Sequence, residues 1–431
     1  MIRSLPSVNG MTRPDPTANP VPDPTVPDPT VPDPTAATAT APMATAPSRP
    51  PLLSRALLLR LVSVVAVTVS FFLLLSAVPT HVGRGAAGLA TGALMLSTVL
   101  GELAGPRIVG RYGHRGPLAA GLFLLGAPAL ALPLDDGAAW TASVCLVRGL
   151  GFGLTMVAGG ALTAVLIPAE RRGEGLALVG LVGGVPSLVT LPLGVWMSGH
   201  LGYTTVTMAA GLAALAAIPT VPGLRETQPP KTHGTEGTSA DAEALGMVAA
   251  VRAAGLRRPA LVFSATAVAA GILVTFVPLA VPRASAGVAT AALLVQSTAS
   301  TVARWLAGRY GDRRGSARLV TPGLLASAAG LSTLAATAGP VAVLMGAAVF
   351  GTGFGIVQNA TLTLMYSRVS RPSYGTVSAL WNLAYDGGMG VGAAGFGLLA
   401  AHTGYAWGFA LTGVLMMGAL APAVRDRRSR A

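Results

Sequence analysis

Asp386, Arg148 and Glu102 are ionisable side chains set inside long apolar runs, and that setting limits the chemistry open to them. Asp386 lies near the middle of the run 375–399, one helical turn after Asn382. A carboxyl group held away from water can keep and release a proton near neutral pH. Asp386 therefore reads as a proton carrier, or as a neutral acid hydrogen-bonded between helices. Arg148 sits about ten residues into its run, roughly 15 Å deep at helical rise. An ionised guanidinium there costs several kcal/mol unless it faces water or a carboxylate. It reads as a cavity group that senses protonation or holds an anion, or as a structural partner of a backbone carbonyl or of Glu102. Glu102 lies five residues before Arg107, where helix capping or loop anchoring comes first and proton relay second.

Gln296, Gln358, Asn359 and Asn382 are uncharged polar groups at similar depth. They could line a solute path, or bond between helices at ~0.6 kcal/mol apiece. Catalytic and metal chemistry find little support. His81, His114, His200, His233 and His402 are scattered, and no metal-spaced pair exists. Gly149-Leu150-Gly151-Phe152-Gly153 lies inside an apolar run with no strand before it, so it is neither a dinucleotide loop nor a phosphate loop. The single Cys145 can form no disulfide within the chain and no thiolate cluster. No enzyme activity and no cofactor are expected.

These residues are positioned by a chain of 431 residues with 52% hydrophobic and 10% charged side chains and a mean hydropathy of +0.64. Soluble chains carry about 25% charged residues, so this one belongs in lipid. Its net charge of +13 falls between apolar runs and not on one aromatic-flanked face, which excludes a nucleic-acid binder. Residues 1–55 form a Pro/Thr-rich tail in which Pro-Asp-Pro-Thr recurs between 14 and 35; extended, disordered chain is expected. No cleavable signal peptide is visible, because the first apolar run begins near Leu57.

Twelve apolar spans follow, at 57–79, 86–109, 117–134, 139–167, 174–198, 203–221, 259–281, 286–307, 318–336, 340–366, 375–399 and 404–423. Each is long enough for a bilayer core of ~30 Å. With the amino terminus and every second loop assigned to the cytoplasm, 25 of the 29 cations lie inside. Arg84 and Arg283 lie outside, and Arg148 and Arg304 lie within spans. That asymmetry places both termini in the cytoplasm. The segment 223–258 links two bundles, 56–222 and 259–424, and its part from Asp241 to Leu256 has the spacing of an interfacial amphipathic helix. A basic tail occupies 425–431.

The bundles are copies of one another. Gly110-Arg111-Tyr112-Gly113-His114-Arg115 returns as Gly308-Arg309-Tyr310-Gly311-Asp312-Arg313, 198 residues on, each copy on an expected Gly-permitted turn at the membrane surface. Val78-Pro79 returns as Val277-Pro278 at an offset of 199. Gly151-Phe152-Gly153 returns as Gly353-Phe354-Gly355, and His200, Gly202 and Tyr203 return as His402, Gly404 and Tyr405, both at 202. Six spans per unit make the halves parallel repeats, the pattern of a transporter built from two related parts.

Over residues 57–423 this arrangement resembles the major facilitator superfamily, whose loop motif is roughly Gly-x-Leu-Ala-Asp-Arg-x-Gly-Arg-Arg. Here Arg107, Gly110, Arg111, Gly113 and Arg115 occupy the first copy of that loop, and Gly308, Arg309, Gly311, Asp312 and Arg313 the second. The motif's Asp is Gly110 and Gly308, leaving Glu102 and Asp312 as the available carboxylates. Arg148-Gly149-Leu150-Gly151 is similar to the Arg-x-x-Gly motif associated with proton coupling, and Gly180, Gly184 and Pro186 partly match the antiporter motif of the fifth helix. The acid that drug–proton antiporters often carry in helix 1 has no counterpart around Ser70.

The resemblance implies an all-α membrane protein with twelve transmembrane helices in two pseudo-symmetric six-helix bundles. It implies a secondary active transporter that rocks 57–221 against 259–423 about a midplane site, with protons coupled through Asp386 or Glu102 and Arg148. Efflux of a drug-like or amphipathic compound is the first reading. Proton-coupled uptake of a sugar or organic acid, and a non-transporting sensor or scaffold, are the alternatives. The expected partners are a small-molecule substrate, protons and the lipid bilayer, with no nucleic acid, in a monomer at the plasma membrane.

Overall fold

The computed structural model describes residues 53–167, 171–224, 246–282, 285–370 and 373–428. The Pro-Asp-Pro-Thr tail, the first part of the central linker and Arg283 lie outside the described residues.

Backbone amides in lipid must be satisfied within the chain, which leaves helices as the natural solution for apolar runs of this length. All regular structure among the described residues is helical. The first two spans form one assignment, Arg55–Tyr112, turned at Gly83 (φ 73°) into arms 55–82 and 84–112. Ser54 caps its start, the hydroxyl accepting from the Leu57 N–H at 3.1 Å. Span three is Arg115–Ala131, extended by the 3-10 turn Leu132–Leu134, and span four is Ala138–Leu166. Span five is Arg172–His200, and span six is Tyr203–Ala216 with the 3-10 turn Ile218–Gly223. Spans seven to ten are Ala254–Ala280, Ala286–Arg314, Ala317–Thr333 and Pro340–Tyr366. The last two share Tyr374–Met416, turned at Gly404 (φ 76°) and continued by Met417–Ala419 and Leu420–Arg428.

Eight helices are long and apolar enough to cross a membrane, and the two double ones bring the total to ten spans. Spans eight and nine complete the twelve. Span nine is short at 17 residues. Span eight is long but carries a polar stripe, described below. Within the expected linker helix, Asp241 to Leu245 lie outside the described residues; the described part forms Met247–Arg252, ended by extended backbone at Ala253, after which the chain belongs to span seven.

The duplication is visible in backbone angles and in packing. Gly202 (φ 86°) and Gly404 turn the chain at equivalent points. The loop motif behaves differently in its two copies. Gly113 (φ 74°) ends span two, as expected, but Gly311 is helical and the matching turn falls at Gly315 (φ 85°). The two helices end at equivalent places, Tyr112 and Arg314, while the motif letters sit one helical turn earlier on span eight, so Gly308 to Arg313 lie on its last turns instead of on a loop. The structural offset here is 202, the same as in the glycine motifs, and not the 198 of the matched letters.

That same offset governs how span four meets spans two and three, and span ten meets spans eight and nine. Gly149 packs on the Leu94 carbonyl and Gly351 on that of Gln296; Gly153 packs on Thr98 and Gly355 on Ser300. A Cβ at Gly151 would stand 2.7 Å from the Gly121 carbonyl, and one at Gly353 2.5 Å from the Gly323 carbonyl. Neither space admits a side chain without movement of backbone.

The halves meet mainly where span two crosses span eleven. Cβ atoms built on Gly88, Gly92 and Gly390 would lie 2.5 Å from the Ala393 carbonyl, 3.0 Å from Ala394 Cβ and 2.8 Å from Met95 Cβ. Small residues let the two backbones approach closely. Thr275 of span seven adds a hydroxyl contact to Thr91 at 3.3 Å.

Candidate functional site

Close packing on one face of a helix decides what its opposite face presents. Gly101 and Gly153 hold span two against span four, and Glu102 faces a cavity walled by Phe152 and Thr155 of its own bundle and by Trp381, Asn382 and Asp386 of the other. Gly388 presses span eleven on the Ser264 carbonyl of span seven at a Cβ distance of 2.8 Å, which turns Asp386 toward the first half. The two carboxyl groups lie within hydrogen-bonding reach of one another across the interface. Asp386 is 6% exposed. An ionised carboxyl group only accepts hydrogen bonds, so a bond between these two groups requires that they hold at least one proton between them.

Three cavities follow one another along the interface. One of about 440 Å³ is lined from Arg60 and Thr68 to Glu102, Trp381, Asn382 and Asp386. A second of about 240 Å³ is lined by Gln296, Ser297, Ser300, Thr301 and Gln358, with Phe354 and Tyr385. The two share Phe72, Gly184, Ser187, Arg304 and Tyr385. A third, of about 880 Å³, lies between Thr80, Val195, Pro278 and Ala289. It begins one helical turn beyond Leu191 and Val274 of the second.

The intramembrane arginines divide by their partners. Arg148 is fully buried and lines none of the three cavities. Its Nε donates to the Leu125 carbonyl at 3.1 Å and its Nη2 to the Ser70 carbonyl at 2.9 Å, tying spans three and one to span four. Of the readings open from sequence, this geometry is the backbone-carbonyl one, and Glu102 is not its partner. Arg60 is 6% exposed and donates to the Gly159 carbonyl, Thr163 Oγ1 and Ser63 Oγ at 2.7–3.1 Å. Arg304 is exposed to the interior, and its one hydrogen bond among the described residues is Nη1 to Gln358 Oε1 at 3.4 Å.

Of the candidates from sequence, the structure brings Glu102, Asn382 and Asp386 to the first cavity and Gln296 and Gln358 to the second. Asn359 lines none of the three and lies beside Gly308, 3.4 Å from its Cβ position. Arg107, Gly110 and Arg111 are exposed, and no ion pair joins the loop arginines to Glu102 or Asp312 among the described residues. Arg111 and Arg309 instead lie over the rings of Tyr112 and Trp305, at 5.6 and 4.8 Å. Sequence reasoning assigned no site role to Arg60 or Arg304. The signal for Arg304 is a four-residue polar rhythm, Gln296, Ser300 and Arg304 with Ser297 and Thr301, which puts one polar face on span eight.

Residues 56–393 match the family model described as Major Facilitator Superfamily. No curated protein matches the chain. Solved structures similar in fold include a POT family transporter, PepTSo, at TM-score 0.69 and 12% identity, covering 88% of this chain and 99% of that one. An auto-inhibited POT family peptide transporter gives 0.68 at 13% identity, covering 87% and 97%. The nucleoside transporter NupG gives 0.66 at 11% identity, covering 87% and 99%.

Proposed function

The chain belongs to the Major Facilitator Superfamily and is a multi-pass membrane transporter, and from that premise we propose that it moves a small solute by proton-coupled alternating access. The observation that carries this reading is the placement of Glu102 and Asp386, one from each half, as the two carboxyl groups lining one interface cavity, where they can share a proton. Loss of that proton leaves two negative charges facing each other in a low-dielectric interface, and like charges so placed repel by several kcal/mol. Separation of spans two and eleven relieves that repulsion. Proton release is thereby linked to the movement of one half against the other, with the chained cavities between them as the solute path.

Efflux of an amphipathic compound is the favoured direction and cargo, supported by cavity walls that set Phe72, Phe152 and Trp381 beside the ionisable Arg60, Glu102, Arg304 and Asp386. The partial antiporter pattern of span five agrees, and Gly180 and Gly184 line the first cavity. The nucleoside and peptide transporters similar in fold share the architecture at 11–13% identity, which does not carry their cargo to this chain. The cation distribution supports a plasma-membrane protein with both termini cytoplasmic, and a monomer suffices for the path.

The test is transport in proteoliposomes with an imposed pH gradient, screened over a panel of amphipathic compounds. Gradient-driven flux is expected in the wild type and is lost in Asp386→Asn. Flux that ignores the gradient in the wild type sinks the coupling.

A further inference from the structure

We propose that the second interface cavity binds an organic anion with an apolar body, and that Arg304 holds its charged group. The inference rests on the transport reading above and names the class of cargo.

Arg304 differs from the other two intramembrane arginines in what surrounds its guanidinium. Arg148 and Arg60 are buried and meet backbone carbonyls and hydroxyls at ordinary distances. Arg304 stands exposed in a cavity, with a single bond to Gln358 at the long limit for that interaction. A guanidinium carries five N–H donors, so most of its capacity is directed at the cavity. Among the described residues Arg304 forms no ion pair. Glu102 and Asp386 line the adjoining cavity together with Arg304, and neither forms an ion pair with it among the described residues. Facing a cavity, the guanidinium keeps its charge with donors left free, and a bound anion would take up those donors.

The surroundings define the rest of the ligand. Gln296 and Thr301 stand on the same face of span eight as Arg304 and add polar groups beside the anion site. Phe354 and Tyr385 lie across from them with ring centroids 6.2 Å apart and offer an apolar wall. The planar guanidinium fork matches a carboxylate, sulfonate or phosphonate in two parallel hydrogen bonds. The volume of about 240 Å³, continuous with the larger cavity through Arg304 itself, suits a compact ring system and not a polymer.

Three probes with one ring system separate charge from shape: 1-naphthylacetate, its neutral amide and 1-naphthylethylamine. Binding and flux of each are measured on the full chain in phosphatidylcholine vesicles. The acid is expected to bind roughly 10–100-fold more tightly than the amide, the range for hydrogen bonds to a charged group, with the amine weakest. Arg304→Gln removes that preference while amide binding persists, and Arg304→Lys keeps part of it. Adding phosphatidylglycerol leaves acid binding unchanged; displacement by that lipid overturns the assignment to a soluble solute. A wild-type preference for the amide or amine, or a preference for the acid that survives Arg304→Gln, overturns the anion site and leaves the transport reading standing. Binding of the acid without flux of any probe does the reverse. Failure of all three to bind removes the site.

Discussion

Glu102 and Arg304 occupy the same place in the two six-helix repeats. They are 202 residues apart, and each follows by four residues the carbonyl, of Thr98 or Ser300, on which the equivalent glycine of span four or ten is packed. Asp386 and Gly184 are related by the same offset. The two places where the halves cross are thus equivalent in position and opposite in chemistry. Span two meets span eleven through two acids, and span eight meets span five through an arginine facing a glycine, with Nη2 3.8 Å from the Gly184 Cβ position.

That asymmetry predicts a lock. Gly184→Asp places a carboxylate opposite Arg304, where no atom blocks it, and creates an ion pair across the second crossing. Flux is expected to fall at least tenfold while thermal stability rises, the signature of halves held together. Arg304→Gln in the same chain restores movement. Unchanged flux in Gly184→Asp refutes the proximity.

The two acids act as one unit, and their variants are expected to be non-additive. Asp386→Asn and Glu102→Gln each leave one carboxyl group beside an amide, with no second charge to repel it. Each abolishes flux driven by a pH gradient, and the double variant is no worse than either single one. Solute exchange without a gradient persists in all three. Losses that multiply in the double variant would mean that the residues serve separate steps.

Arg148 is a tie between helices, and its loss is expected to appear first as instability. Arg148→Ala removes two charged hydrogen bonds to the Leu125 and Ser70 carbonyls of two other helices, at a cost of roughly 3–6 kcal/mol. The melting temperature in detergent falls, and Arg148→Lys recovers part of it. A variant with wild-type melting and selectively lost proton coupling would return Arg148 to the transport machinery.

The glycine faces of spans four and ten are expected to fail alike. Gly151→Val and Gly353→Val each drive a side chain into a facing backbone, at about 1–3 kcal/mol of overpacking. Equal losses of folded yield would confirm that the repeats pack by one scheme. Tolerance at one site alone would show that they have diverged.

Orientation is checked by single cysteines at Arg111 and Arg309 in a chain lacking Cys145. Both are expected to react with an impermeant maleimide from the same, cytoplasmic, side. Labelling from opposite sides ends the parallel-repeat description.

Much of this architecture is legible in the chain because it follows local rules. Apolar length, arginine placement and repeated glycines identify the spans and their duplication, down to the matched turns at Gly202 and Gly404. The partnership of Glu102 with Asp386 is not legible, since it joins points 284 residues apart and depends on which face each glycine contact turns outward. Arg60 looked like one more cation at a membrane boundary because nothing local announces Gly159 and Thr163 as its acceptors. The second loop misled in a different way. The letters Gly308 to Arg313 repeat the first copy, but the helix continues through them until Gly315, the next residue to take up a positive φ. Arg304 could have been found by aligning on the glycine contacts instead of on the arginine motif.

The polar stripe of span eight also bears on how the protein is made. A segment carrying Gln296, Ser300 and Arg304 on one side is a poor substrate for release into lipid by itself. Its residence in the bilayer therefore leans on a neighbour that covers that side, and span ten does so, packing Gly351 and Gly355 on the Gln296 and Ser300 carbonyls and offering Gln358 to Arg304.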